Sequence, residues 1–192
     1  MASRNYYYFV ATLPSINYGD TPPKSSAEFQ EECSYMLNPK DAALIPYCRY
    51  NPKLAVETIE PTGSDFIDHL MLRERVLALN LAFFRAAKQR RPAPEDPPQD
   101  IPRTVAVARA ASEMDDPLQA ALFIDQARWG ALDTMTVPGD MFGVNNIFLH
   151  LLRLHLLERH QLFQAEIGRE RYRECYNAIM DEYNSRVKED RS

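Results

Sequence analysis

Residues 145–164 are the most Leu-dense of the long stretches that lack both Gly and Pro. Ile147, Leu151 and Leu154 form one helical stripe, Phe148 and Leu152 an adjoining one, and Leu156 and Leu157 widen the arc. A surface helix needs an apolar face of only about 100°, so this pattern predicts a central helix with neighbours on most sides. His150, Arg153, His155 and Glu158 interrupt it, and crossing a bilayer takes about 20 apolar residues. The segment is therefore read as the middle of an all-α helical bundle.

The other elements follow from local signals. Residues 6–13, with three consecutive tyrosines, favour a strand by propensity. Tyr6, Phe9, Val10 and Leu13 nevertheless lie at helical spacing, and the balance falls to a short buried helix ended by Pro14. Ser25 and Glu28 form a capping box, each satisfying a free backbone N–H of the other. Phe29, Cys33, Met36 and Leu37 give the helix behind it one apolar face. Asn38-Pro39 caps a further short helix expected to reach Ile45. Ser64 and Asp65 open a long helix to about Gln89, with Phe66, Leu70, Leu77, Leu81 and Phe84 as its buried stripe. An Ala/Val helix is expected over 104–114. Asp116-Pro117 starts another, whose inner face would be Leu118, Ala121, Leu122, Trp129 and Leu132. Pro138-Gly139 turns the chain into the central helix. Beyond Gly168, the residues Tyr172, Tyr176, Ile179, Tyr183 and Val187 continue a helical stripe.

Composition narrows this further. Six glycines and fourteen prolines in 192 residues favour helices with Pro-marked connections over a β fold rich in turn glycines. The five prolines of 92–102 exclude a helix interior. That stretch is read as a long loop within one helical domain spanning 1–192, because each flank is too thin to bury a core alone. A net charge of −5 argues against general nucleic-acid binding, which favours basic domains. Cys33, Cys48 and Cys175 are odd in number and widely spaced. They make no disulfide framework and are expected reduced, in a cytoplasm. Residues 1–13 have no small-x-small cleavage pattern and are not expected to be an export signal.

No catalytic constellation stands out. His150, His155 and His160 share one helix, but a spacing of five rotates each by about 140° from the last, so they face different sides. The paired His of a zincin helix is absent, as is any Cys-x-x-Cys. Gly139-Asp140-Met141-Phe142-Gly143 superficially resembles a phosphate loop without its Gly-Lys-Ser/Thr ending. Neither a metal nor a cofactor is expected. Two stretches have the residue types of docking surfaces: the loop with Tyr18, Asp20, Pro22 and Pro23, and the basic helix end with Arg85, Lys88, Arg90 and Arg91. The plain alternatives are a well-packed loop and a helix end whose cations meet the negative pole of the dipole.

Tyr6-Tyr7-Tyr8-Phe9-Val10-Ala11-Thr12-Leu13-Pro14, followed by Asp20-Thr21-Pro22-Pro23, resembles the opening of a bacterial family of unassigned function. Its members are encoded among the subunits of V-type ATP synthases. Leu151-Leu152-Arg153-Leu154-His155-Leu156-Leu157-Glu158-Arg159, with Gly168-Arg169-Glu170 after it, also fits that family. The family is in turn distantly similar to the C subunit of V-type ATP synthases, an all-helical funnel between the central stalk and the membrane ring. The present chain is shorter and shows no threefold helical repeat. The resemblance implies a non-catalytic component or assembly factor of that complex, akin to the C subunit, with no membrane span of its own. Its partners would be V-type ATP synthase subunits of the central stalk or proteolipid ring. It would work in the cytoplasm, or at the inner membrane through those partners. The rival expectation is a soluble helical enzyme whose site the spacing of residues does not reveal.

Overall fold

The computed structural model describes residues 6–50, 60–92, 101–135 and 139–163, together with Tyr176, Asn177 and Met180. The fold class is all-α: no strand occurs among the described residues. The elements are α1 (Tyr7–Ala11), α2 (Ser26–Met36), α3 (Pro39–Ala42), a 3-10 turn (Ile45–Tyr47), α4 (Asp65–Lys88), α5 (Thr104–Glu113), α6 (Pro117–Thr134) and α7 (Val144–Leu162). Most of the loop over 92–102 lies outside the described residues, as do Cys175 and most of the helix expected after Gly168. Tyr176, within that last stretch, is helical and half exposed.

The expected caps are in place. Ser25 and Glu28 close the capping box of α2, and Asn38 accepts from the Lys40 and Asp41 amides at α3. Ser64 caps α4, and Asp116 caps α6 with Pro117 behind it. These contacts lie within three residues of each other, so they form from local sequence alone.

Helix α7 is the centre of the fold. Ile147, Phe148, Leu151, Leu152, Leu154, Leu156 and Leu157 are all fully buried, which its wide apolar arc predicts. Glu158 at its far end clamps α2, its two carboxylate oxygens accepting from the Ser26 amide and hydroxyl at 2.6 Å each. That places a carboxylate at the positive end of the α2 dipole. Phe29 of α2 sits between Phe9 and His150, with ring centroids 5.8 and 5.0 Å away.

Apolar side chains gather in two clusters. The larger joins α2, the first half of α4, the end of α6 and α7. The smaller joins the second half of α4, the start of α6 and α5, through Leu77, Ala108, Ala111, Ala120 and Ile124. Helices α4 and α6 thus contribute to both, and they run through them in opposite order.

Four expectations need correction. Met36 is 49% exposed and leaves the α2 core to Phe29, Cys33 and Leu37, because the helix ends there and Leu37 turns inward in extended conformation. The helix from Asn38 stops at Ala42, and Pro46 enters a separate 3-10 turn instead. Helix α1 exists, but Phe9 is its only buried residue, while Tyr7 and Tyr8 face outward. On α6 Leu118 is exposed, and the buried positions are Ala120, Ile124, Asp125 and Leu132. The face is turned toward Ala120 and Ile124, which join Leu77 of α4 and Ala108 and Ala111 of α5 in the smaller cluster.

Candidate interaction surfaces and a buried charge cluster

Tyr18 faces its own protein. Its hydroxyl donates to the Leu122 carbonyl at 3.3 Å, and its ring meets Trp129 and His160 edge-on. Asp20 closes the turn by accepting from the amide and the side chain of Asn17. Pro22 is half buried and Pro23 exposed. Beyond Pro23 runs a shallow groove with Lys24, Glu28, Glu31, Glu32 and Tyr35. Lys24 pairs with Glu32, and the remaining two carboxylates leave the groove acidic beside an exposed aromatic ring.

At the end of α4, Lys88 reaches the carbonyls of Glu113 and Met114 and the carboxylate of Asp115, at 3.2–3.4 Å. It ties α4 to the α5–α6 connection. Arg90 and Arg91 are exposed. Their amides bond back to Ala87 and Ala86 respectively, the pairing of a Schellman motif. Arg90 supplies its left-handed position with φ of 54°, where a side chain costs about 1–2 kcal/mol. Glycine loses part of that gain through its freer unfolded chain. Arg90→Gly is therefore expected to stabilise the fold by about 0.5–1 kcal/mol, read as a higher urea midpoint at unchanged slope. Arg85, one turn earlier, lies elsewhere: it lines a cleft between α4 and α6.

That cleft opens onto a feature that no local pattern in the sequence announces. Between the two apolar clusters, α4 contributes Arg73 and Glu74, α6 contributes Asp125 and Arg128, and α7 contributes Arg159. Arg128 holds the group together: Nε and Nη2 donate to Glu74 Oε2 at 3.0 and 2.7 Å, and Nη1 donates to Asp125 Oδ1 at 3.0 Å. Arg159 Nε donates to Asp125 Oδ2 at 2.7 Å. Arg73 stands 3.7 Å from Glu74 Oε1. The carboxylates are almost wholly buried, Glu74 at 4% and Asp125 at 0% exposure. Burial works against the charge on Arg128, but Glu74 and Asp125 overcome it and raise the Arg128 pKa. Burial lowers the Arg73 pKa, with Glu74 opposing. The Arg128 guanidinium also stacks over the Tyr50 ring at 4.8 Å. Burial, and then Glu74, push the Tyr50 phenol up, so it stays a hydroxyl. Neither that hydroxyl nor Glu74 Oε1 has a hydrogen-bond partner among the described residues.

The three histidines of α7 occupy unrelated settings. His150 lies against Phe29, His155 beside Glu158 and the Cys48 backbone, and His160 against Tyr18. Among the described residues no His, Cys, Asp or Glu group is arranged to hold a metal ion. Cys48, though near His155, directs its thiol to the Leu44 carbonyl, and burial pushes its pKa up. It is a thiol rather than a thiolate nucleophile. At the loop that superficially resembles a phosphate site, the Asp140 carboxylate sits where a side chain on Gly143 would go. Gly143 is the N-cap of α7, so the protein's own carboxylate occupies the place an anion would take. No described helix is long and apolar enough to cross a membrane. Compared with known protein families, curated proteins and solved structures, the chain matches none.

Proposed function

We propose that the chain is a non-catalytic component or assembly factor of a V-type ATP synthase, akin to its C subunit, working through protein–protein contacts. One observation carries the reading: the Tyr-rich segment that bears the resemblance also presents aromatic surface. Tyr8 is 83% exposed and Tyr7 about half exposed. Tyr7 is in edge contact with Phe142 at 4.6 Å, and Met141 beside it is 71% exposed. Segments far apart in sequence thus meet in one aromatic patch with exposed Met141 next to it in the chain, and aromatic residues and Met are enriched at interfaces. The Tyr6 backbone fixes the patch by donating to the Phe142 carbonyl at 2.7 Å, and the Tyr6 hydroxyl donates to Asp41 at 2.5 Å. The acidic groove at Pro23 and the Arg90–Arg91 end are further contact surfaces on this reading.

The test is affinity purification of the tagged chain from its own cell, at low salt and without detergent. V-type ATP synthase subunits are expected in the eluate. Tyr8→Ser is expected to cut their recovery at least tenfold, given the roughly 2 kcal/mol or more of an aromatic hot spot. An eluate with none of those subunits sinks the proposal. A second reading, a ligand-binding helical domain or enzyme, is favoured by the unpartnered polar atoms in the α4–α6 cleft.

A further inference from the structure

The cleft walled by α4, α6 and the end of α7 has a volume of about 450 Å³, inside the range of small-molecule sites. Its chemistry is lopsided. Leu81, Ala121 and Ile124 form an apolar wall, while Arg85, Arg128 and Arg159 supply three guanidinium groups against one lining carboxylate, Glu74. Asp125 lies behind Arg128 and adds a second negative charge. With Arg73 included, four cations face two anions, leaving an excess of two positive charges in and around a partly dry cleft. The surplus lies with Arg85 and Arg159, which are solvent-exposed and need no buried partner to stay charged, so the mouth carries a positive field that favours a negative guest. The existing pairs do not use up the donors. Arg128 is committed to Glu74 and Asp125, but Arg159 binds Asp125 through Nε, which leaves its terminal nitrogens available. Arg85 makes no side-chain ion pair or hydrogen bond with the described residues and is exposed at the mouth. The Tyr50 hydroxyl, also in the lining, is buried and unpartnered, and its ring is held by the Arg128 stack.

We propose that this cleft binds a small amphiphilic anion, its carboxylate or phosphate head held by Tyr50, Arg85 and Arg159 and its apolar body lying along Leu81, Ala121 and Ile124. The site is separate from the Tyr8–Met141 patch, so it stands or falls independently of the partner proposed above.

Titration calorimetry with the intact chain tests it, using octanoate and octyl phosphate below their micelle thresholds, with octanol and inorganic phosphate as controls. At least one of the two anions is expected to bind saturably at one site, and which of them does so identifies the head group. Octanol and inorganic phosphate are each expected to bind about tenfold or more weakly, since each lacks half of the match. Tyr50→Phe and Arg85→Gln are each expected to weaken binding about tenfold, the value of a hydrogen bond to a charged group. Tyr50→Phe should not lower the melting temperature of the free protein, because the hydroxyl has no hydrogen-bond partner among the described residues. Arg85→Gln should lower it only by the small dipole contribution of a cation in the last turn of α4. Absence of binding by both anions overturns the proposal, as does binding that both substitutions leave intact. Inorganic phosphate binding as tightly as octyl phosphate would overturn the apolar half.

Discussion

Arg128→Met is expected to destabilise the fold by about 3–5 kcal/mol, the cost of breaking a buried pair and stranding its partner. Total stabilities of about 5–15 kcal/mol are usual, so a large fraction would be lost. The size follows from where the charges sit. Glu74 and Asp125 are 4% and 0% exposed, and Arg128 bonds to both. Asp125 would keep Arg159, but Glu74 would be left with Arg73 at 3.7 Å and no hydrogen bond to it. The Tyr50 ring would lose its stacking cation. Because the main penalty is the stranded carboxylate, Glu74→Met added to Arg128→Met is expected to recover part of the loss. A double-mutant cycle of urea melts reads that coupling. If Arg128→Met cost less than about 1 kcal/mol, as exposed pairs do, the cluster would not be the dry network its geometry indicates.

This cluster also shows where the sequence stops being legible. The caps of α2, α3, α4 and α6 could be read because each is a contact over two or three residues. Helix α7 could be read because its leucines surround the axis, whatever packs on them. The clamp of Glu158 on Ser26 spans 132 positions, and the bond from Arg128 to Glu74 spans 54. A charge on a periodic helix reads by default as solvated, and only its partner reveals otherwise. One signal was present: Asp125 follows Ile124 directly, and Arg128 lies one turn on, both within the apolar arc of α6. Glu74 likewise sits among Leu70, Met71 and Leu77. A charge inside an apolar stripe marks a buried partner to be sought.

The candidate surfaces divide in the same way. Tyr18 has the composition of a docking residue, but packing against Trp129 and His160 half buries it, and no local pattern records that. Arg85 and Lys88 are one turn apart on α4, yet Lys88 closes onto α5 while Arg85 lines the cleft. The Tyr7 ring meets Phe142 only in the fold, where the Tyr6 amide donates to the Phe142 carbonyl.

Acid should weaken this fold before its carboxylates titrate, and His150 is the reason. The residue is 5% exposed and packs edge-on against Phe29. Burial holds its pKa down to about 4, assisted by Arg153 on the same helix and by Lys24, with Glu32 opposing from α2. His155 is shifted in the same direction, again chiefly by burial. The sign is that of a depressed base. An unfolded chain takes up the proton near pH 6.5, while the folded chain refuses it until about pH 4. Below pH 6.5 the unfolded state binds more protons, so stability is complete above that value and drains away as pH falls toward 4. Between about pH 6.5 and about pH 5, His150 alone is expected to remove about 2 kcal/mol. Ordinary carboxylates, titrating near pH 4, barely change in that window. Urea melts across it should show the loss in the native chain and a shallower slope in His150→Leu, the remainder belonging to His155. Equal slopes in the two proteins would mean that His150 is protonated in the fold, and that its place against Phe29 is wetter than the packing indicates.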